Sequence, residues 1–197
     1  MNTKSFSTPA IVLKRKNLSE TDRLVTLLTR QQGKLVCIAK GARQMKSTKR
    51  AYLEPGNYIV ALFINTKSLP LLTQAKLIDD FAQSKKELKS IRQLTQVLEI
   101  VDRLFAEGEE DEQLFDEVLA IIKLINLSPA MPAGRQESER TPSSSVAKAE
   151  KNVVSEVKKR LKSLIRQLGY PDSNGSLLDQ VAKLSDRPMR SWEYLRV

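Results

Sequence analysis

The hydrophobic period of this sequence changes once, near residue 84, and that change limits the possible folds more than any other feature. Before it, apolar residues come in short runs separated by turn signals. Ala10-Ile11-Val12-Leu13 reads as a first strand, Leu24-Val25-Thr26-Leu27-Leu28-Thr29 as a second, and the segment from Leu35 to Ala39 as a third. Leu53-Glu54-Pro55-Gly56 opens a fourth, which runs on through Ile59-Val60-Ala61-Leu62-Phe63-Ile64, and the segment from Leu71 to Ile78 is a fifth, entered after Pro70. The 59–64 run is apolar on both faces, as expected where one face fills a barrel and the other is covered. Gln31-Gln32-Gly33 fits a short hairpin connection with Gly33 free to take positive φ. Five strands so close together predict a small closed barrel, which leaves no strand edge open to solvent.

After the change, the pattern is helical. Leu88, Ile91, Leu94, Leu98, Val101 and Phe105 recur at three- and four-residue steps. Ser84-Lys85-Lys86-Glu87 has capping-box spacing before them, and Gly108 is a stop signal after them. Glu109-Glu110-Asp111-Glu112 places negative charge where a helix start favours it, and Phe115, Val118, Ile122 and Ile125 follow, with Pro129 as the end. Val154, Val157, Leu161, Leu164 and Leu168 form a third stripe closed by Gly169 and Pro171, and a short helix runs from Leu177 through Leu184. The segment 128–145 is rich in Pro, Ser, Arg and Glu, has almost nothing to bury, and is expected to be a mobile loop. The class is therefore α+β: a five-stranded barrel over 1–80 and an all-α helical domain over 81–197, interrupted by that loop.

Composition removes many chemistries. Of the 197 residues none is histidine, which excludes imidazole general bases, Ser-His-Asp and Cys-His catalysis. The one cysteine, Cys37, allows neither an internal disulfide nor a cysteine-rich zinc site, and between Val36 and Ile38 it reads as a small core residue. No cofactor or metal is expected, and no glycine loop with Lys-Ser or Lys-Thr supports nucleotide hydrolysis. Glu20, Asp22 and Arg23 suggest a strand-entry ion pair rather than a metal site. No apolar run is long enough to span a bilayer and no secretion signal is evident, so the expected address is the cytoplasm and no membrane partner is expected.

The formal net charge is +10, and it is unevenly placed: residues 1–80 hold 14 Lys and Arg against 5 Asp and Glu, whereas the rest hold 19 against 18. A polyanion docking on the amino-terminal part is the economical reading. The prime candidate is the loop 40–50, with Lys40, Arg43, Lys46, Lys49 and Arg50 and no acid. Such side chains neutralise phosphates and release counterions without regard to base sequence. Lys14 and Arg15 at the end of the first strand, in Lys14-Arg15-Lys16, and Lys34 at the hairpin join the candidate set with less weight, because three successive strand residues cannot share a face. Tyr52 and Tyr58 flank the loop, where a stacked base is worth about 1–3 kcal/mol. In the helical part Lys158, Lys159, Lys162 and Arg166 give one helix a cationic side, which reads first as an ordinary solvated face and second as a site for an acidic partner tail. Trp192 and Tyr194 are expected to dock the last segment onto the bundle.

In order and spacing, Ile11-Val12-Leu13, Glu20-Thr21-Asp22-Arg23, Thr29, Gly33-Lys34, Ala39-Lys40-Gly41-Ala42-Arg43, Lys46-Ser47 and Pro55-Gly56 resemble the amino-terminal domain of the RecO family of bacterial recombination mediators. Strand count alone permits an OB-fold or an SH3-like barrel, and the resemblance selects the OB-fold. It implies a non-enzymatic DNA repair and recombination protein that binds single- and double-stranded DNA and anneals complementary strands. It also implies engagement of the acidic C-terminal tail of single-stranded DNA-binding protein, work with RecR to load RecA, and a bacterial cytoplasmic, nucleoid-associated address during repair. Many relatives place a four-cysteine zinc module after a Leu-Gly-Tyr element. Here Leu168-Gly169-Tyr170 leads into a short link from Pro171 to Ser176 without cysteine, so partner contacts in the helical part carry over less directly than DNA binding by the barrel. The rival expectation is an RNA-binding OB-fold module in translation or RNA folding. A nuclease with a carboxylate metal site is a third, disfavoured by the acid-poor barrel.

Overall fold

The computed structural model describes residues 5–127, 144–170 and 177–184. The first strand, β1 (Ser5–Asn17), is long enough to serve two neighbours. Its first half pairs with β4 (Tyr58–Ile64) and its second half with β2 (Arg23–Thr29), both antiparallel. β2 continues antiparallel to β3 (Gly33–Ala39), β3 meets β5 (Leu71–Asp79) in parallel at Ile38 and Leu71, and β5 returns antiparallel to β4. The sheet closes in the order β1-β2-β3-β5-β4, the strand order of an OB-fold.

Alternation along the strands fills the barrel. Ala10 and Val12, Val25 and Leu27, Cys37 and Ala39, Ile59, Ala61 and Phe63, and Leu72 form one buried cluster. Phe6 stacks on Phe63 with ring centroids 5.0 Å apart. Burial pushes the Cys37 thiol up to about 12, as suits a core residue rather than a nucleophile. The register of β1 against β2 slips between Val12 and Lys14, so Leu13 is the extra residue of a bulge. Val60, Leu62 and Ile64, on the other face of β4, are half-buried rather than fully covered.

Two local readings change. The fourth strand starts at Tyr58, not at Leu53. Residues Lys49–Tyr52 form a single helical turn, α1, and Asn57 holds it by donating from Nδ2 to the Ala51 and Tyr52 carbonyls at 3.0 and 3.1 Å. Ser84 does not begin a capping box. It lies in a 3-10 turn (Ala82–Lys85), its hydroxyl donates to the Phe81 carbonyl at 2.7 Å, and the helix α2 (Leu88–Leu104) starts four residues later, with Leu88 exposed.

The remaining helices are α3 (Glu112–Asn126), α4 (Ser144–Gln167) and α5 (Leu177–Leu184). Asp111 caps α3 by accepting the Leu114 N–H at 2.9 Å. Gly169, at φ 82°, ends α4, with the Tyr170 N–H bonded to the Ile165 carbonyl at 3.2 Å. Phe115, Val118, Ile122 and Ile125 are buried on α3, and Val157, Leu161 and Leu164 on α4. By contacts the chain forms two compact units. One joins the barrel, through Asp80, to the segment Leu98–Leu119; the other holds Phe81–Val97 and the described residues from Ala120 onward. Most of the 128–145 segment, the link after Tyr170, and Trp192 and Tyr194 lie outside the described residues. No helix among the described residues is long and apolar enough to cross a membrane.

Candidate nucleic-acid interface

The cationic segment between β3 and β4 is anchored at both ends and along its length. Ala42 and Leu53 are wholly buried in the barrel cluster, so the basic residues between them are presented by a connection plugged into the core. At its start Gly41 takes φ 65°, and its N–H donates to the Asp22 Oδ1 at 2.9 Å. The Arg43 N–H donates to the Thr21 carbonyl at 2.9 Å, and its Nη1 to the Ser19 carbonyl at 2.5 Å. Turns from Gly41 to Gln44 and from Gln44 to Ser47 lead into α1, and Lys49 Nζ reaches back to the Lys40 carbonyl at 2.7 Å. At the far end the Gly56 N–H bonds to the Val12 carbonyl at 2.8 Å. An ordered cationic loop loses less chain entropy on binding than a free one.

The structure thus brings Lys40, Arg43, Lys46, Lys49 and Arg50 onto one anchored connection, with Lys40, Lys46 and Arg50 exposed and Arg43 and Lys49 half-buried. Met45 projects from the same connection, 91% exposed. Asp22 is not paired with Arg23. The Gly41 N–H, then the Thr21 hydroxyl, hold its carboxyl below the ordinary value, with Lys40 and Lys49 acting in the same direction. Its role at this site, as the clamp of the connection, escapes a linear reading because its partner lies 19 residues away.

Lys14, Arg15 and Lys34 are engaged elsewhere. Strand alternation puts the first two on opposite faces, and the bulge at Leu13 decides which face each takes. Lys14 Nζ pairs with Asp102 Oδ2 at 2.5 Å, while Arg15 Nη1 pairs with Glu54 Oε1. Lys34 Nζ donates to the Asp102 carbonyl at 2.7 Å, and burial lowers its pKa against the pull of Asp102 and Glu107. Arg30, not among the residues singled out from sequence, reaches Glu112 at 3.2 Å and Asp116 at 2.7 Å. Apart from Glu54, these acids share a source: the segment Leu98–Leu119 carries nine Asp and Glu against the single base Arg103. Within the first compact unit it offsets part of the barrel's excess through Lys14 and Arg30, whereas the five cations of the β3–β4 connection form no ion pair among the described residues.

Tyr52 packs against the barrel cluster, and Tyr58 faces the ring of Phe115 at 6.3 Å, so both rings have protein partners. In the second unit Lys158, Lys159, Lys162 and Arg166 lie exposed on α4, while Arg160 pairs with Glu156 at 3.1 Å. No group of three or more His, Cys, Asp or Glu is placed to hold a metal ion among the described residues.

Residues 1–81 match the family described as "Recombination protein O N terminal". The chain is 34% identical over 117 residues to the DNA repair protein RecO of Shouchella clausii, an alignment covering 59% of this chain and 46% of that relative. It is 28% identical over 123 residues to the DNA repair protein RecO of Syntrophomonas wolfei, covering 62% and 49%. Against the protein of the same name from Heliobacterium modesticaldum it is 36% identical over 99 residues, covering 50% and 36%. The chain spans about half the length of the first two of these relatives.

Proposed function

We propose that this chain, whose amino-terminal domain is that of the RecO family, is a non-enzymatic DNA repair protein that binds DNA strands through the β3–β4 connection and aligns them for pairing. The observation that carries the reading is the anchored, acid-free run of Lys40, Arg43, Lys46, Lys49 and Arg50, set on a barrel four of whose other cations, Lys14, Arg15, Arg30 and Lys34, face carboxylates or carbonyls. Cations held on a rigid support neutralise the phosphates of two strands at once, and lowering their mutual repulsion lets bases pair. Both single- and double-stranded DNA fit such a surface, because it contacts backbone rather than base edges.

The proposal extends to partners. The exposed Lys158, Lys159, Lys162 and Arg166 of α4 suit the acidic tail of single-stranded DNA-binding protein, and we propose cooperation with RecR in loading RecA, as the resemblance implies. The test is annealing of complementary strands precoated with single-stranded DNA-binding protein, with and without that protein's acidic tail. Faster annealing that depends on the tail is the expected result; no acceleration on bare or coated strands would overturn the reading. Competition between matched single-stranded DNA and RNA separates it from an RNA-binding module, which strong RNA preference would favour.

A further inference from the structure

Beside the connection, several guanidinium groups gather around one carboxylate. The bulge at Leu13 sets Arg15 opposite Val25, and Arg23, two residues before Val25 on the same strand, shares that face. Val25 is fully buried in the barrel cluster, so Arg15 and Arg23 continue its inward row to the barrel's end. Arg15 Nη1 is paired with Glu54. Arg23 Nη1 approaches the Arg50 carbonyl at 3.5 Å, a marginal hydrogen bond, and its Nε is buried with no hydrogen-bond partner. Burial and the nearby charges of Arg15, Arg50 and Arg43 hold Arg23 below the ordinary arginine value, and Glu54 acts in the opposite direction. A buried guanidinium nitrogen without an acceptor is uncommon and calls for an explanation such as an ion. A phosphate, with several oxygens, satisfies such donors better than one carboxylate already paired to Arg15.

We infer that Arg15, Arg23 and Arg50 form a subsite for one backbone phosphate of a nucleic-acid strand, and that Glu54 is its resident anion, displaced when the strand arrives. The inference rests on the nucleic-acid reading above and adds to it a carboxylate that holds affinity down. Exchange of one anion for another keeps the arginines compensated in both states. Binding there is therefore readily reversible, as strand alignment requires.

The test uses the full chain and an oligo-dT of about sixteen nucleotides, the upper site size of one OB-fold. Glu54→Gln should bind on the order of tenfold more tightly, because no carboxylate then has to be displaced from the arginines. The gain should vanish when Arg23→Gln is added. In the unsubstituted protein, the Arg15 and Arg23 Nε–Hε NMR signals should shift on titration with the oligonucleotide, a measurement that stands even where Glu54→Gln fails to fold. A folded Glu54→Gln variant with unchanged or weaker affinity, or an Arg23 signal that does not move, overturns the inference. Inorganic phosphate shifting the same signals as strongly at equal phosphate concentration also overturns it, by marking a pocket for free anions. If the five-fold alanine variant of the connection loses binding while Glu54→Gln changes nothing, the DNA-binding reading survives and only this subsite falls.

Discussion

The carboxylate of Asp22 accepts the backbone N–H of Gly41 at 2.9 Å, and this bond ties the turn between β1 and β2 to the first residues of the cationic connection. The bond favours the ionised acid, so the folded carboxyl lies below its ordinary value of 3.8. The stabilisation it gives is fully present above that value and is lost as pH falls through the lower folded one. Asp22→Ala should speed hydrogen exchange at the Gly41 and Arg43 amides near neutral pH and weaken DNA binding without unfolding the barrel. In the unsubstituted protein the Gly41 amide shift should titrate with the Asp22 carboxyl, below pH 3.8. A Gly41 amide that exchanges equally fast in both proteins would mean the clamp does not order the connection.

Charge on the connection and charge at the acidic segment should separate experimentally. Replacing Lys40, Arg43, Lys46, Lys49 and Arg50 together by alanine should flatten the salt dependence of binding by several units, on the order of one per lost phosphate contact. Lys14→Ala should leave that slope nearly unchanged and instead lower thermal stability, because its partner Asp102 loses an ion pair that ties Leu98–Leu119 to the barrel. Equal slopes in the five-fold variant and the unsubstituted protein would move the interface elsewhere.

Gly33 begins β3 at φ 58°, and a Cβ there would stand 2.0 Å from the Glu109 carbonyl oxygen. The left-handed backbone and the backbone contact both oppose a side chain, and a carbonyl cannot rotate aside as a flexible side chain does. Gly33→Ala should cost about 2–3 kcal/mol of stability in chemical denaturation. A loss below the error of that measurement would show that the Leu98–Leu119 segment yields easily.

Leu53 fills the barrel from the connection itself. Leu53→Ala should cost about 2–5 kcal/mol, read by denaturation, and should also reduce affinity by loosening α1. Full affinity in a measurably destabilised Leu53→Ala variant would separate core packing from presentation of the basic residues.

Cys37 should be inert to thiol reagents in the folded protein and react only on unfolding. Its folded value of about 12 exceeds the ordinary thiol value of 9.0, so the unfolded chain releases the thiol proton first. Stability should then fall as pH rises between those values, by about 1.4 kcal/mol per unit. Cys37→Ala should remove that part of the slope, and fast labelling of the native protein would contradict the burial.

Local chemistry made much of this protein legible. Short apolar runs at Ala10–Leu13 and Leu24–Thr29 marked strands, the three- and four-residue steps around Leu98 and Phe115 marked helices, and Gly169 marked the end of α4, because each signal acts within one or two turns of chain. The start of the fourth strand was misread because apolar Leu53 serves as a plug from a loop, a role that depends on the barrel it enters rather than on its neighbours in sequence. The basic run from Lys40 to Arg50 was visible as composition; that it is anchored was not, since Asp22, Thr21 and Asn57 reach it from other parts of the chain.

By itself, the sequence determined the closed barrel, the helical remainder and the surplus of positive charge, all properties of local spacing and counting. Tertiary structure decided which cations remain open to a polyanion. A one-residue bulge at Leu13 sends Lys14 to Asp102 and Arg15 to Glu54, and the acidic segment 88 residues beyond Lys14 closes against the barrel. Electrostatic energy depends on distance in space, and no spacing along the chain encodes which charges folding will set side by side.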